Sequence, residues 1–136
     1  MGAKILLVED NATHLALMEY LLRAFGHTTI SATDGASGVA LATKEPPDII
    51  LMDLHLPMLD GFQAAEQIKS VGRLKAVPIV AVTASAMVGD RGKILARGFD
   101  GYIAKPITPE TFVSQVEKVV DQCEQVLRAR LDGSEL

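Results

Sequence analysis

Ile49-Ile50-Leu51-Met52-Asp53, running on into Leu54-His55-Leu56-Pro57-Met58-Leu59-Asp60-Gly61, decides how this chain folds. Four apolar residues in a row end on a carboxylate. A short apolar run bounded by turn residues reads as a strand buried on both faces, as in a parallel sheet. Pro57 and the Asp60-Gly61 pair then turn the chain. Asp53 therefore belongs at the carboxyl end of a central strand, where open α/β sheets bind their ligands. Three other apolar runs end in a comparable way. Ile5 to Val8 meets Glu9-Asp10, Ile79 to Val82 meets Thr83, and Tyr102 to Ala104 meets Lys105. If those strands are parallel, three acids, a hydroxyl and an ammonium gather at one edge of the sheet.

Outward from that stretch, strands and helices alternate. Lys4 to Val8 is the first strand, and Asn11 is an N-cap for a helix whose stripe is Leu15, Met18, Leu21, Leu22 and Phe25. Gly26 ends that helix. Thr28 to Ala32 is β-branched and reads as a shorter edge strand. Asp34-Gly35 is a turn, Ala36 to Lys44 a short helix, and Pro46-Pro47 its stop. Phe62 to Ser70 is helical, Pro78 to Thr83 is the fourth strand, and Met87 to Arg97 is a helix weakened by Gly89 and Gly92. Gly101 to Ala104 is a short fifth strand. Pro109 behind Thr108 opens a last helix that runs to about Arg130. Five strands alternating with five helices predict an α/β fold, a doubly wound five-stranded parallel sheet with right-handed crossovers. The edge character of the second strand favours the order 2-1-3-4-5, with the switch point between strands one and three, flanked by Asp10 and Asp53.

The 136 residues suit one domain, with residues 1–121 forming its body and 122–136 a helix extension and tail. Hydrophobic residues make up 49% and charged residues 22%, a globular balance. A net charge of -4 and only 4% aromatics argue against a nucleic-acid surface. The lone Cys123 excludes an internal disulfide and a cysteine zinc cluster, and fits a reducing cytosol. The opening Met1-Gly2-Ala3-Lys4 lacks the apolar segment of a signal peptide, so a cytoplasmic location and no membrane span are expected.

Glu9, Asp10 and Asp53 together are costly unless protons or a cation neutralise them. An oxygen-only ligand set suits a hard divalent ion, and Mg²⁺ takes one or two carboxylates plus waters and a phosphate. No strand is followed by a glycine-rich phosphate cradle, so an anion here would be held by metal, Lys105 and the Thr83 hydroxyl. Asp53 is a candidate nucleophile, because carboxylates form acyl phosphates. Metal and Lys105 would stabilise charge on the transferring phosphoryl group.

Val8-Glu9-Asp10-Asn11, Leu51-Met52-Asp53, Leu56-Pro57-Met58-Leu59-Asp60-Gly61, Val82-Thr83-Ala84 and Lys105-Pro106, at this spacing, resemble the receiver domains of two-component response regulators. The likeness runs from about Lys4 to Val120 and is nearest the stand-alone CheY-like type, whose fold is flavodoxin-like. It implies a phosphorylation-controlled switch. Asp53 would accept a phosphoryl group from a phosphohistidine of a histidine kinase or phosphotransfer protein. Mg²⁺ would sit on Asp10, Asp53 and the main-chain carbonyl of His55, with Glu9 reaching it directly or through water. Lys105 would contact the phosphoryl oxygens, and Thr83 and Tyr102 would report their arrival. The output would be a changed surface on the fourth helix, fifth strand and fifth helix, read by a protein target. The chain would catalyse only its own phosphotransfer and a slow autodephosphorylation, as a monomer or weak dimer. The resemblance also implies a cis Lys105–Pro106 bond, and makes His55 and Ser85 the positions that modulate phosphoryl lifetime.

Other readings fit less well. Aspartyl-phosphate phosphohydrolases resemble Asp-x-Asp, but here the second position is His55. A flavodoxin-like cofactor binder needs a Ser/Thr/Gly-rich loop after the first strand, where this chain has Glu9-Asp10. A pseudo-receiver acting only by docking would not need the complete set of acids, hydroxyl and lysine. His14, His27 and His55 are read as surface histidines, and Cys123 as a small apolar helix residue. The last helix, about 33 Å long at 1.5 Å per residue, outruns a five-residue strand of about 17 Å. Its end is expected to expose Val126 and Leu127 as a contact surface.

Overall fold

The computed structural model describes the backbone of residues 2–84 and 88–131 and the side chains of residues 2–84 and 91–122. The expectations placed on Ser85, on the Met87 start of the fourth helix, and on the side chains of Cys123, Val126 and Leu127 lie outside the described residues.

Five strands, β1 (Lys4–Val8), β2 (Thr28–Ala32), β3 (Ile49–Asp53), β4 (Ile79–Thr83) and β5 (Gly101–Ala104), alternate with five helices. These are α1 (Ala12–Ala24), α2 (Gly35–Lys44), α3 (Gly61–Ser70), α4 (Val88–Ala96) and α5 (Pro109–Leu131). All four strand pairings are parallel and the order is β2-β1-β3-β4-β5, as the sequence predicts. The expected fourth strand is one residue too long. Pro78 has no N–H to give, and only its carbonyl joins the ladder, accepting from the Ile50 N–H at 2.9 Å.

Side chains alternate across a strand with a period of two, so each apolar run feeds two cores. Leu6, Val8, Ile50 and Met52 face Ala42 of α2, Ala64 and Ile68 of α3 and Ile94 of α4. Ile5, Leu7, Ile49 and Leu51 face Met18 and Leu22 of α1 and Phe112 and Val116 of α5. That division is why β1, β3 and β4 read as continuous hydrophobic runs rather than alternating ones.

The turn signals Asp34-Gly35 and Asp60-Gly61 prove to be helix starts. Asp34 accepts the Ser37 N–H at 2.8 Å, and Asp60 forms a reciprocal capping box with Gln63. A Cβ on Gly61 would stand 2.4 Å from the Asp53 carbonyl oxygen and 2.7 Å from the Leu54 Cα. The Gly61 N–H also donates to the Leu54 carbonyl at 3.1 Å. The start of α3 is thereby clamped against the strand end that carries Asp53. Between them the loop turns at Met58, which has φ 64°. The Leu59 N–H reaches back to the Pro57 carbonyl at 2.8 Å, a three-residue turn that is rare because its centre is strained.

Gly61→Ala forces a side chain into backbone that cannot give way, so it should lower stability by about 1–3 kcal/mol. Gly92 lies inside α4 with nothing within 4 Å of a built Cβ. Gly92→Ala should therefore raise stability by about 0.5–1 kcal/mol. Urea unfolding midpoints check both, and equal shifts of one sign would contradict the packing described.

Candidate functional site

The carboxyl ends of β1, β3, β4 and β5 converge. Glu9 and Asp10 follow β1, Asp53 ends β3, Thr83 ends β4 and Lys105 follows β5. One carboxylate oxygen from each of Glu9, Asp10 and Asp53 lies within 4.8 Å of the others. Glu9 is 1% exposed, Asp53 5% and Thr83 0%, whereas Asp10 is open to solvent. The acids are thus a buried pair with an exposed third member at the rim.

Each buried oxygen is held from a known direction. Glu9 Oε2 accepts the Asn11 N–H at 3.1 Å, and Asp53 Oδ1 accepts the His55 N–H at 3.0 Å. Lys105 Nζ lies 2.8 Å from Glu9 Oε1 and 3.5 Å from Asp53 Oδ2. Its backbone is pinned by an N–H donated to the Thr83 carbonyl at 2.9 Å, and the Lys105–Pro106 bond is cis, as expected. Thr83 ends its strand beside Ala104, one register step from the pairing of Asp53 with Val82. Tyr102 is half-buried on β5 and packs against the core on the α3 and α4 side. The Arg91 guanidinium of α4 lies over its ring, 5.2 Å from the centroid.

Electrostatics mark the site as underneutralised. Burial pushes the Glu9 carboxyl above its ordinary range and the charge of Asp53 adds to this, while Lys105 and the Asn11 N–H pull the other way. Glu9 Oε1 has the Lys105 ammonium close by but no aligned hydrogen bond among the described residues. Three carboxylates against one ammonium, with a buried oxygen short of donors, form a donor set that suits a hard divalent cation.

The histidines depart from the surface reading. His27 is buried, because its ring is used on both sides: Nδ1 accepts the Ala3 N–H at 2.9 Å and Nε2 meets Glu117 Oε2 at 2.8 Å. His14 is half-buried, with Nδ1 3.2 Å from Lys105 Nζ. Only His55 has an exposed side chain, with its N–H on Asp53. The inward placement of His14 was legible in the sequence, though its partner was not. It stands four residues before Met18 and eight before Leu22, both buried, so it begins the stripe by which α1 faces the sheet.

A model of the response regulator receiver domain matches residues 5–117. The polar-differentiation response regulator DivK of Brucella anthropi is 36% identical over 117 residues, covering 86% of this chain and 95% of that protein. The receiver domain of the sensor histidine kinase PA1611 of Pseudomonas aeruginosa, with a magnesium ion coordinated in its active-site cleft, superposes with a TM-score of 0.78. It is 36% identical, with coverage of 90% of this chain and 97% of that one. The chemotaxis response regulator CheY4 of Vibrio cholerae superposes with a TM-score of 0.83 at 27% identity, covering 88% and 99%. Among the described residues no helix is long and apolar enough to cross a membrane.

The raised pKa of Glu9 has a definite sign. Its protonated form is the one the fold favours, so its contribution is most favourable below about pH 4.5 and is lost as pH rises through the raised value. In chelator at pH 7, Glu9→Gln should therefore make the protein more stable than wild type, and the gain should shrink as pH falls below about 4.5. Asp10→Asn should weaken Mg²⁺ binding by removing one of few carboxylate ligands. Urea unfolding at the two pH values and a metal titration followed by fluorescence or calorimetry read these outcomes. An unchanged Mg²⁺ affinity in Asp10→Asn would exclude Asp10 as a ligand.

Proposed function

This chain belongs to the response regulator receiver family, and on that footing we propose that it is a phosphorylation-controlled switch whose acceptor is Asp53. The observation that carries the reading is the Asp53 carboxylate itself. It is 5% exposed at the end of β3, 3.5 Å from an ammonium and clustered with two further acids. Its Oδ1 closes a local turn on the His55 N–H, but a turn alone does not require Oδ2 to be buried beside an ammonium and two further acids. The chain is a signalling module rather than a metabolic enzyme.

The phosphoryl donor is a phosphohistidine on a histidine kinase or a histidine phosphotransfer protein. Oδ2 of Asp53 attacks phosphorus, the P–N bond to the imidazole breaks, and the departing ring nitrogen keeps the electron pair and takes a proton. A P–O bond to Asp53 forms, giving an acyl phosphate. Oδ2 is the attacking oxygen because it faces Lys105, while Oδ1 is held by the His55 N–H. Glu9, Asp10, Asp53 and the His55 carbonyl would hold Mg²⁺. When bound, the ion offsets charge on the phosphoryl oxygens. Lys105 exchanges part of its carboxylate contacts for a phosphoryl oxygen, a charge-assisted bond that suits a compact ammonium.

The readout follows from what surrounds Thr83 and Tyr102. A phosphoryl group offers the Thr83 hydroxyl a strong acceptor and draws Thr83 toward it. Tyr102 then turns toward the vacated space. Leaving its present position loses the Arg91 contact, worth about 0.5–1 kcal/mol at a partly exposed site. The equilibrium is therefore one that a single charge event can bias. The α4-β5-α5 surface changes with it and is read by a protein target.

With a small phosphodonor and Mg²⁺, wild type should gain one phosphoryl mass, and Asp53→Asn or excess chelator should abolish the gain. An adduct surviving either change contradicts the assignment. Binding of a beryllofluoride phosphoryl mimic should shift the amide signals of residues 88–104 in wild type and much less in Thr83→Ala. Identical shifts in both proteins would remove Thr83 from the switch.

A further inference from the structure

We propose that His14 is a positioning residue for phosphoryl transfer, its neutral imidazole fixing the Lys105 ammonium in the place from which it serves Asp53. The inference rests on the reading of Asp53 as acceptor and Lys105 as its counter-charge.

A lysine ammonium has three donors, no acceptor, and a flexible four-carbon stem. Here three groups surround it: Glu9 Oε1 at 2.8 Å as an ion pair, and His14 Nδ1 at 3.2 Å and Asp53 Oδ2 at 3.5 Å as hydrogen-bond acceptors. Without His14 the ammonium would be governed by the two carboxylates alone, and Glu9 is the nearer of them. The hold on Lys105 would then tighten toward the acid that is not the acceptor. His14 supplies a third anchor from a different element, and that element is rigid. Asn11 caps α1 by accepting the His14 N–H at 3.0 Å, and Met18 and Leu22 on the same helix are buried in the core. The chemistry of the side chain matters as well. For Nδ1 to accept from an ammonium, the ring must be neutral with its proton on Nε2. A neutral acceptor steadies Lys105 without adding a fourth negative charge to Glu9, Asp10 and Asp53. It also competes weakly enough for the ammonium to turn one of its N–H donors to a phosphoryl oxygen when one arrives. A carboxylate in the same position would hold it more strongly.

Two variants separate this role from simple packing. His14→Leu keeps a side chain of helical propensity and similar bulk but removes the acceptor. His14→Asn places a carbonyl oxygen at the same number of bonds from Cα as Nδ1. With acetyl phosphate and saturating Mg²⁺, His14→Leu should lower the maximal rate of Asp53 phosphorylation by about tenfold, with little change in the donor concentration at half-maximal rate. His14→Asn should recover most of that loss. The ammonium ¹⁵N signal of Lys105 should be protected from exchange in wild type, broaden or vanish in His14→Leu and return in His14→Asn. Equal rates and equal Lys105 signals in wild type and His14→Leu overturn the inference. Equal losses in both variants also overturn it, since packing would then be the cause. Failure of wild type to form an adduct on Asp53 overturns the underlying reading instead, and the inference falls with it.

Discussion

Like charge held at the edge of a dry core is the constraint on which the rest of this structure depends. Two unit charges about 4 Å apart repel by about 4 kcal/mol at the effective dielectric of a protein surface. One oxygen each of Glu9, Asp10 and Asp53 lies within 4.8 Å of the others, and two of the three residues are almost wholly buried. Lys105 relieves part of this and burial of Glu9 works against it, so the carboxyl of Glu9 is pushed upward. The sheet holds the backbone of this cluster in place. The strand ends are fixed by parallel pairing on both sides of β1, β3 and β4.

Much of the packing serves to keep those strand ends in place. Gly61 lets α3 close onto the Asp53 carbonyl, and Gly38 lets α2 approach the Val8 side chain, where a Cβ would stand 2.8 Å from Cγ2. The β3–α3 loop accepts a positive φ at Met58, a residue that is 96% exposed and contributes nothing to the core. At the opposite end of the sheet, His27 ties the chain before β1 to α5 through the Ala3 N–H and Glu117. The acidic cluster and the positive φ of Met58 thus lie at one end of the sheet, and the hydrogen bonds of His27 at the other.

The elements legible in the sequence are those whose signal is local. The apolar runs of β1, β3 and β4 were readable because burial on both faces leaves no polar gaps, and the strand order followed from the weaker character of β2. The acids, Thr83 and Lys105 were readable as a group because each directly follows an apolar run. Contacts between residues far apart in sequence were not. His27 pairs with Glu117 across 90 positions and Lys105 with His14 across 91, and no periodicity carries such a pairing. The three-residue helical turn at Gly72–Leu74, which buries Leu74 completely, was hidden for a different reason: one apolar residue among polar ones has no period to read. Asp34 and Asp60 looked like turn residues because an N-cap and a turn use the same side chain for the same purpose, accepting a nearby backbone N–H.

Phosphoryl acceptance by Asp53 requires a chemical bond to form at one carboxylate. An acyl phosphate is reduced by borohydride where a free carboxylate is not, and reduction of an aspartyl phosphate leaves homoserine. Protein treated with phosphodonor and Mg²⁺, reduced and mapped by peptide mass spectrometry, should carry homoserine at position 53 and nowhere else. Homoserine at position 10, or phosphate retained on a histidine with position 53 unchanged, would contradict the account.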